Sequence, residues 1–194
     1  SNNKTEKVVS IEPCKTKVNN YFEEYVAKDG ETMQLMPRKT LERSCLFVSG
    51  MSGSGKTYFS KEYIKEYKKL YKKRHVYVLS YFAEDKSLDA KLTGLLNTLL
   101  ECGRHVNAEV IYISHQPNKS HQTKCILNEC SSITIFPKAM SSRTLRYLLE
   151  QYFGMDKTQM KRIKSLPSRA VTILKSYPTI ILYEKGAYVL DVEL

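Results

Sequence analysis

The chain has 194 residues, 42% of them hydrophobic and 26% charged. That is enough for one domain with its own core, and too apolar for a disordered segment. No stretch approaches the roughly 18 consecutive apolar residues of a membrane helix, and the polar N-terminus lacks an apolar signal-peptide core, so a soluble, non-secreted protein without membrane insertion is expected. Thirty-one Lys and Arg against twenty Asp and Glu leave a net charge of +11, which favours a polyanionic partner, either nucleic acid or an anionic membrane surface.

Residues 1–38 read as an N-terminal appendage, or as an arm that packs on a neighbouring subunit. Lys7–Ile11 suits a short strand, and Tyr21, Phe22 and Tyr25 give Val18–Ala27 some helical spacing. Asp29-Gly30 is a turn signal and Pro37 a breaker. The main domain is expected over 39–194. Cys45 to Ser49 is a short apolar run suited to a strand buried on both faces. It leads directly into Gly50-Met51-Ser52-Gly53-Ser54-Gly55-Lys56-Thr57. From Tyr58 to Arg74, Phe59, Tyr63, Tyr67, Leu70 and Tyr71 form one apolar helix stripe with lysines largely around it. His75–Tyr81 is a second strand-like run, and strand, loop, helix, strand specifies a parallel βαβ unit.

Leu88–Cys102 reads as a helix stopped by Gly103. A strand at Glu109–Ser114 ends in His115-Gln116-Pro117. A helix around Gln122–Glu129 follows, then a strand at Ser132–Phe136 and short helices at Ser142–Tyr152 and Asp156–Lys164. The runs Val171–Leu174, Ile180–Tyr183 and Tyr188–Val192 alternate between turn signals, which predicts an antiparallel meander. Five cysteines form an odd set with no CxxC pair, so reduced thiols fit better than a disulfide framework or zinc site. The four histidines give no metal-ligand pattern.

The loop 50–57 matches G-x-x-x-x-G-K-[ST] between a buried strand and a helix, the context in which that pattern binds phosphates. Gly50, Gly53 and Gly55 let the backbone close around a diphosphate, and successive N–H groups at the helix start face the anion. Ser52, Ser54 and Tyr58 complete the expected nucleotide-binding stretch. Lys56 is expected on the β- and γ-phosphates of ATP, and Thr57 on Mg²⁺. Gln116 stands where the strand ends of such sheets face the nucleotide, suited to orienting water or sensing the γ-phosphate; the alternative is a loop residue capping a turn. Arg104 suits either a trans arginine supplied across a subunit boundary or a surface residue. The lysines of the first helix fit a solvated exterior, with a DNA contact as the lesser alternative.

Together with these motifs, TLLECGRHVNAEVIYISHQ, TKCILNECSSITIFPK, LRYLLEQYFGMD and LPSRAVTILKSYPTIILYEKGAYVL resemble the poxvirus-type genome-packaging ATPases of nucleocytoplasmic large DNA viruses and virophages, in the FtsK/HerA class of P-loop motors. The likeness spans about residues 41–192. It implies an α/β P-loop NTPase with a mainly parallel central sheet flanked by helices and a C-terminal antiparallel meander. It further implies a ring, a hexamer in such motors, that hydrolyses ATP at subunit interfaces and drives double-stranded DNA into a capsid. Capsid components would be partners, and the host cytoplasm (the viral factory) and the virion its places. Carried over by position, Lys56 and Thr57 are the phosphate and magnesium contacts, Gln116 the sensor and Arg104 the trans arginine.

Two departures accompany the likeness. Relatives often carry a bulky aromatic after the Ser-Arg pair, where this chain has Ala170. A P-loop motor also needs an apolar strand ending in paired acids, and Phe82–Ala108 has room for one helix and little else. Glu84-Asp85 follow a strand-like run that aligns better with the family's second strand, so residues are expected to be missing near Asp89–Thr93. A small P-loop kinase and a non-hydrolysing nucleotide-binding scaffold are the competing readings; the meander in place of an arginine-rich lid speaks against the kinase.

Overall fold

The computed structural model describes residues 10–14, 21–27, 29–39, 44–80, 91, 94–95, 97–99, 107–117 and 121–190. Its strands are β1 (Ser10–Pro13), β2 (Glu24–Val26), β3 (Thr32–Gln34), β4 (Ser44–Ser49), β5 (Val76–Ser80), β6 (Glu109–Ser114), β7 (Ser132–Ile135), β8 (Val171–Leu174), β9 (Ile180–Tyr183) and β10 (Gly186–Val189). The helices are α1 (Lys56–Leu70), α2 (His121–Glu129), α3 (Ser142–Arg146), which continues as a π-helical turn over Tyr147–Tyr152, and α4 (Lys157–Ser165).

All ten strands form one sheet in the order β3-β2-β1-β10-β9-β8-β7-β4-β6-β5. β7, β4, β6 and β5 run parallel. From β8 onward every pairing is antiparallel. The expected mainly parallel sheet is therefore corrected to a mixed one. The meander does not pack as a separate layer: β8 pairs edge-on with β7 and carries the sheet outward through β9 and β10. β5 pairs directly with β6, so it fills the place beside the strand that leads to Gln116.

Alternation along the central strands sorts the core onto two faces. On β4, Cys45 and Phe47 point to one face and Leu46 and Val48 to the other; Val110 and Tyr112 of β6 side with the first pair, Ile111 with the second. The first face is covered by Ile126 and Leu127 of α2, Leu145 of α3, Leu148 and Leu149 of the π turn, and Ile163 of α4. The second is covered by Phe59, Tyr63 and Tyr67 of α1. A sheet buried on both sides is what near-continuous apolar strands require. α4 begins with Asp156, which accepts from Gln159 N while the Gln159 side chain accepts from Asp156 N, a reciprocal cap.

The N-terminal segment corrects another expectation. The spacing of Tyr21, Phe22 and Tyr25 predicts a helix; the structure has a turn at Tyr21 and Phe22, then β2. Tyr25 is buried between two exposed neighbours on that strand, a period of two that a short stretch cannot distinguish from a helical one. Asp29 Oδ1 accepts from Glu31 N at 3.1 Å, and this turn closes the β2–β3 hairpin. Tyr21, Tyr25, Leu35 and Met36 pack with α1 in the second core face, and β1–β3 continue the sheet beyond β10. The sequence elements at Lys7–Val9, Leu88–Asp89 and most of the helix to Cys102 lie outside the described residues, as do Glu84, Asp85 and Arg104. No helix among the described residues is long and apolar enough to cross a membrane. The described cysteines Cys14, Cys45, Cys125 and Cys130 are free thiols.

Candidate nucleotide site

The C-terminal end of β4 runs into the loop at Gly50, which has no room for a side chain. A Cβ there would lie 2.6 Å from Ser54 Oγ and 2.9 Å from Phe136 Cδ2. Phe136, immediately after β7, is 2% exposed and forms the floor beneath the loop. At the far end Gly55 sits at φ 109°, in the left-handed region, and is the N-cap of α1. It has no side chain to offer the first-turn amides, and no side-chain cap bond is made. The N–H groups at the start of α1 therefore lack intrahelical acceptors and, with the positive end of the helix dipole, favour an anion.

Lys56 is 8% exposed. Its ammonium donates to Gly50 O at 2.6 Å and Met51 O at 2.7 Å, so the side chain folds back across the loop. Burial lowers its pKa from the ordinary lysine value. Beside it opens a hollow of about 360 Å³, lined among others by Gly53, Lys56, Thr57, Tyr58, Ser80 and His115. Ser80 ends β5, and His115 follows β6. The expected nucleotide-binding residues Gly50, Ser52, Gly53, Ser54, Gly55, Lys56, Thr57 and Tyr58 are thus one continuous loop and helix start, with Ser52, Thr57 and Tyr58 facing solvent. Ser54 Oγ is buried without a hydrogen-bond partner.

Gln116 is exposed and held in a short turn. Ser114 Oγ donates to its carbonyl at 2.8 Å, and its own N–H reaches Ser114 Oγ at 3.3 Å. Among the described residues after β6, His115 belongs to the lining of the hollow and Gln116 does not. Sequence reasoning passed over His115; its place directly after an apolar strand was the available signal. Arg104 lies outside the described residues.

The chemistry of the hollow suits a polyphosphate. Fixed amides and one ammonium supply positive potential, and hydroxyls from Thr57 and Ser80 supply hard oxygen donors. Mg²⁺ takes few protein oxygens, keeping phosphate oxygens and water for the rest, so the Thr57 hydroxyl fits its requirement. When bound, the ion would supply positive charge to offset that of the phosphates. Among the described residues no cluster of His, Cys, Asp and Glu forms a metal site of its own, and no carboxylate lines the hollow.

A second residue reaches the loop from the opposite flank. The Arg169 guanidinium donates to Gly53 O at 3.0 Å, and its Nε lies 3.5 Å from where a Gly55 Cβ would stand. Its backbone N–H donates to Glu184 Oε1 at 2.8 Å. The neighbouring Ser168 hydroxyl accepts from Glu184 N at 3.1 Å and lies 2.8 Å from the Tyr21 hydroxyl. Ala170, where relatives often have an aromatic, donates its N–H to Tyr21 Oη at 3.2 Å, and its carbonyl also accepts from that hydroxyl. Tyr21 thus covers the corner that the small Ala170 leaves open.

No known protein-family profile matches the chain. Two solved structures share its fold. The genome packaging NTPase B204 from Sulfolobus turreted icosahedral virus 2 in complex with ATP-gammaS has a TM-score of 0.53 at 13% identity, over 75% of this chain and 98% of that one. The complex of B204 with AMPPCP has a TM-score of 0.53 at 12% identity, over 76% and 100%. Among curated sequences, the uncharacterized protein V3 of the Sputnik virophage is 30% identical over 188 residues, spanning 75% of this chain and 76% of that protein. The 188 aligned positions exceed the share of this 194-residue chain that they cover, so part of the relative's aligned length has no counterpart here. The chain belongs to the same family as V3 of the Sputnik virophage.

Proposed function

We propose that this chain is an ATPase motor that drives double-stranded DNA into a viral capsid. The observation that carries the reading is the Gly55-capped start of α1, which presents unpaired amides and Lys56 to a hollow at the end of β4. In this reading Lys56 leaves the Gly50 and Met51 carbonyls for the β- and γ-phosphates. The Thr57 hydroxyl holds Mg²⁺, and Ser52, Ser54 and Tyr58 complete the nucleotide contacts. Gln116, two residues beyond β6, senses the γ-phosphate or orients water, and Arg104 acts in trans on the same charge. The fold shared with B204, whose structures hold ATP-gammaS and AMPPCP, supports ATP as the substrate.

The net charge of +11 gives such a motor its grip on the phosphate backbone without regard to base sequence. Assembly as a hexameric ring of the FtsK/HerA kind, docking on capsid components, and work in the viral factory or virion belong to the same proposal, resting on the sequence resemblance. Steady-state ATP turnover with and without double-stranded DNA tests it. DNA-stimulated hydrolysis is expected; phosphate transfer to a small acceptor would instead identify a kinase. One observation favours a second reading. With no carboxylate lining the hollow among the described residues, a scaffold that binds ATP tightly without turnover is the alternative, and the same assay distinguishes it.

A further inference from the structure

Gly53 faces two ways. On one side it borders the hollow, whose far wall is Ser80, Ile113 and His115 at the ends of β5 and β6. On the other its carbonyl receives Arg169, which stands just before β8. In the sheet, β8 and β7 lie on one side of β4 and β6 and β5 on the other, so Arg169 grips the loop from the flank opposite the hollow.

We propose that Arg169 is a positioning residue for the anion cradle, and the proposal rests on the nucleotide-binding reading above. A carbonyl oxygen carries partial negative charge, and one turned into the cradle would repel a phosphate. Gly53 has φ 74° and no Cβ, so the peptide after it rotates at little steric cost. The charge-assisted bond from Arg169 holds that carbonyl on the outer flank. The neighbouring amides and Lys56 are left to face the hollow.

Arg169 is itself held firmly. Its N–H is fixed by Glu184, Ser168 is fixed by Glu184 N and Tyr21, and Ala170 is bonded to Tyr21. The residue that steadies the loop is thus anchored to β1–β3 and the meander at once, two parts of the chain remote from the loop in sequence. A side chain whose role was only packing would not require this bonded frame on both sides.

The test compares Arg169→Ala, Arg169→Lys and Lys56→Ala in the full chain, measuring ATP KM and kcat for the two arginine variants, the ATP dissociation constant by calorimetry for all three, and the melting temperature without nucleotide. For Arg169→Ala, KM is expected to rise roughly ten-fold, the loss of one charge-assisted bond, with kcat changing less. The alanine keeps the backbone bond to Glu184, so the nucleotide-free melting temperature should stay near wild type. Arg169→Lys retains one donor and the charge, and should recover a large part of the KM. A wild-type KM in Arg169→Ala would overturn the proposal, as would a loss that lysine leaves uncorrected. If the alanine variant fails to fold, the lysine variant alone decides: an ATP dissociation constant between those of wild type and Lys56→Ala supports the proposal, and one as poor as that of Lys56→Ala refutes it. Normal ATP binding by Lys56→Ala would refute the nucleotide-site reading itself, which separates the two failures.

Discussion

The Tyr21 hydroxyl donates to the backbone carbonyl of Ala170, 149 residues further along the chain. That hydroxyl also accepts from Ala170 N and pairs with Ser168 Oγ, while its ring meets Phe59 of α1 edge-on at 5.2 Å between centroids. One side chain thereby joins the N-terminal strands, the helix that follows the loop and the corner that carries Arg169.

Tyr21→Phe keeps the ring and removes only the hydroxyl. It strands the Ala170 amide, a buried donor, and the expected cost is about 1–3 kcal/mol. A urea or thermal unfolding curve measures it, with the slope of the transition unchanged. A midpoint equal to wild type would show that the hydroxyl network adds nothing to stability.

Lys56→Ala should abolish ATP hydrolysis while leaving the far-ultraviolet circular dichroism intact. The ammonium's acceptors are loop carbonyls, and their loss leaves the core untouched. In the wild type, saturating ATP and magnesium should raise the melting temperature, because a ligand that binds only the folded state stabilises it. The variant should lose most of that rise. Wild-type turnover in the variant would remove the loop from the mechanism.

Gly50→Ala places a methyl 2.6 Å from Ser54 Oγ and 2.9 Å from Phe136 Cδ2. The ring is the floor of the loop and cannot retreat freely, so overpacking of about 1–3 kcal/mol is expected, together with loss of nucleotide binding. Gly50→Ala combined with Ser54→Ala relieves only the first contact and should recover only part of the stability. A single variant as stable as wild type would mean that the loop is not seated on Phe136.

These relationships mark where sequence reasoning reached and where it stopped. β4, the loop and α1 were legible because their signals are contiguous: a short apolar run, a glycine pattern, then Phe59, Tyr63 and Tyr67 at helical spacing. β6, β8 and β9 were legible to the residue because strong apolar runs end at turn residues. Of the N-terminal strands, β1 overlaps the expected strand Lys7–Ile11 at Ser10 and Ile11, while β2 and β3 were not legible, since β3 is three residues long with two of them exposed and exists by virtue of its pairing with β2. Arg169 stood within a motif, yet its role depends on a contact 116 residues away, and no local pattern encodes such a contact. His115 lines the hollow as well, and strand-end position alone does not distinguish it from Gln116.

The chain has fourteen tyrosines and no tryptophan, and several tyrosines are shielded from ionising. Burial pushes Tyr152 and Tyr188 up to about 12 from the ordinary value near 10, and burial raises Tyr21, Tyr25 and Tyr63 as well. Between pH 10 and 12 the folded chain therefore holds more protons than the unfolded one. Stability from these groups is complete below pH 10 and falls as pH rises through that window. In an alkaline titration the buried set should ionise in one cooperative step that coincides with loss of circular dichroism. A single smooth tyrosinate curve centred at the ordinary value, with the fold still intact, would contradict the burial of these rings.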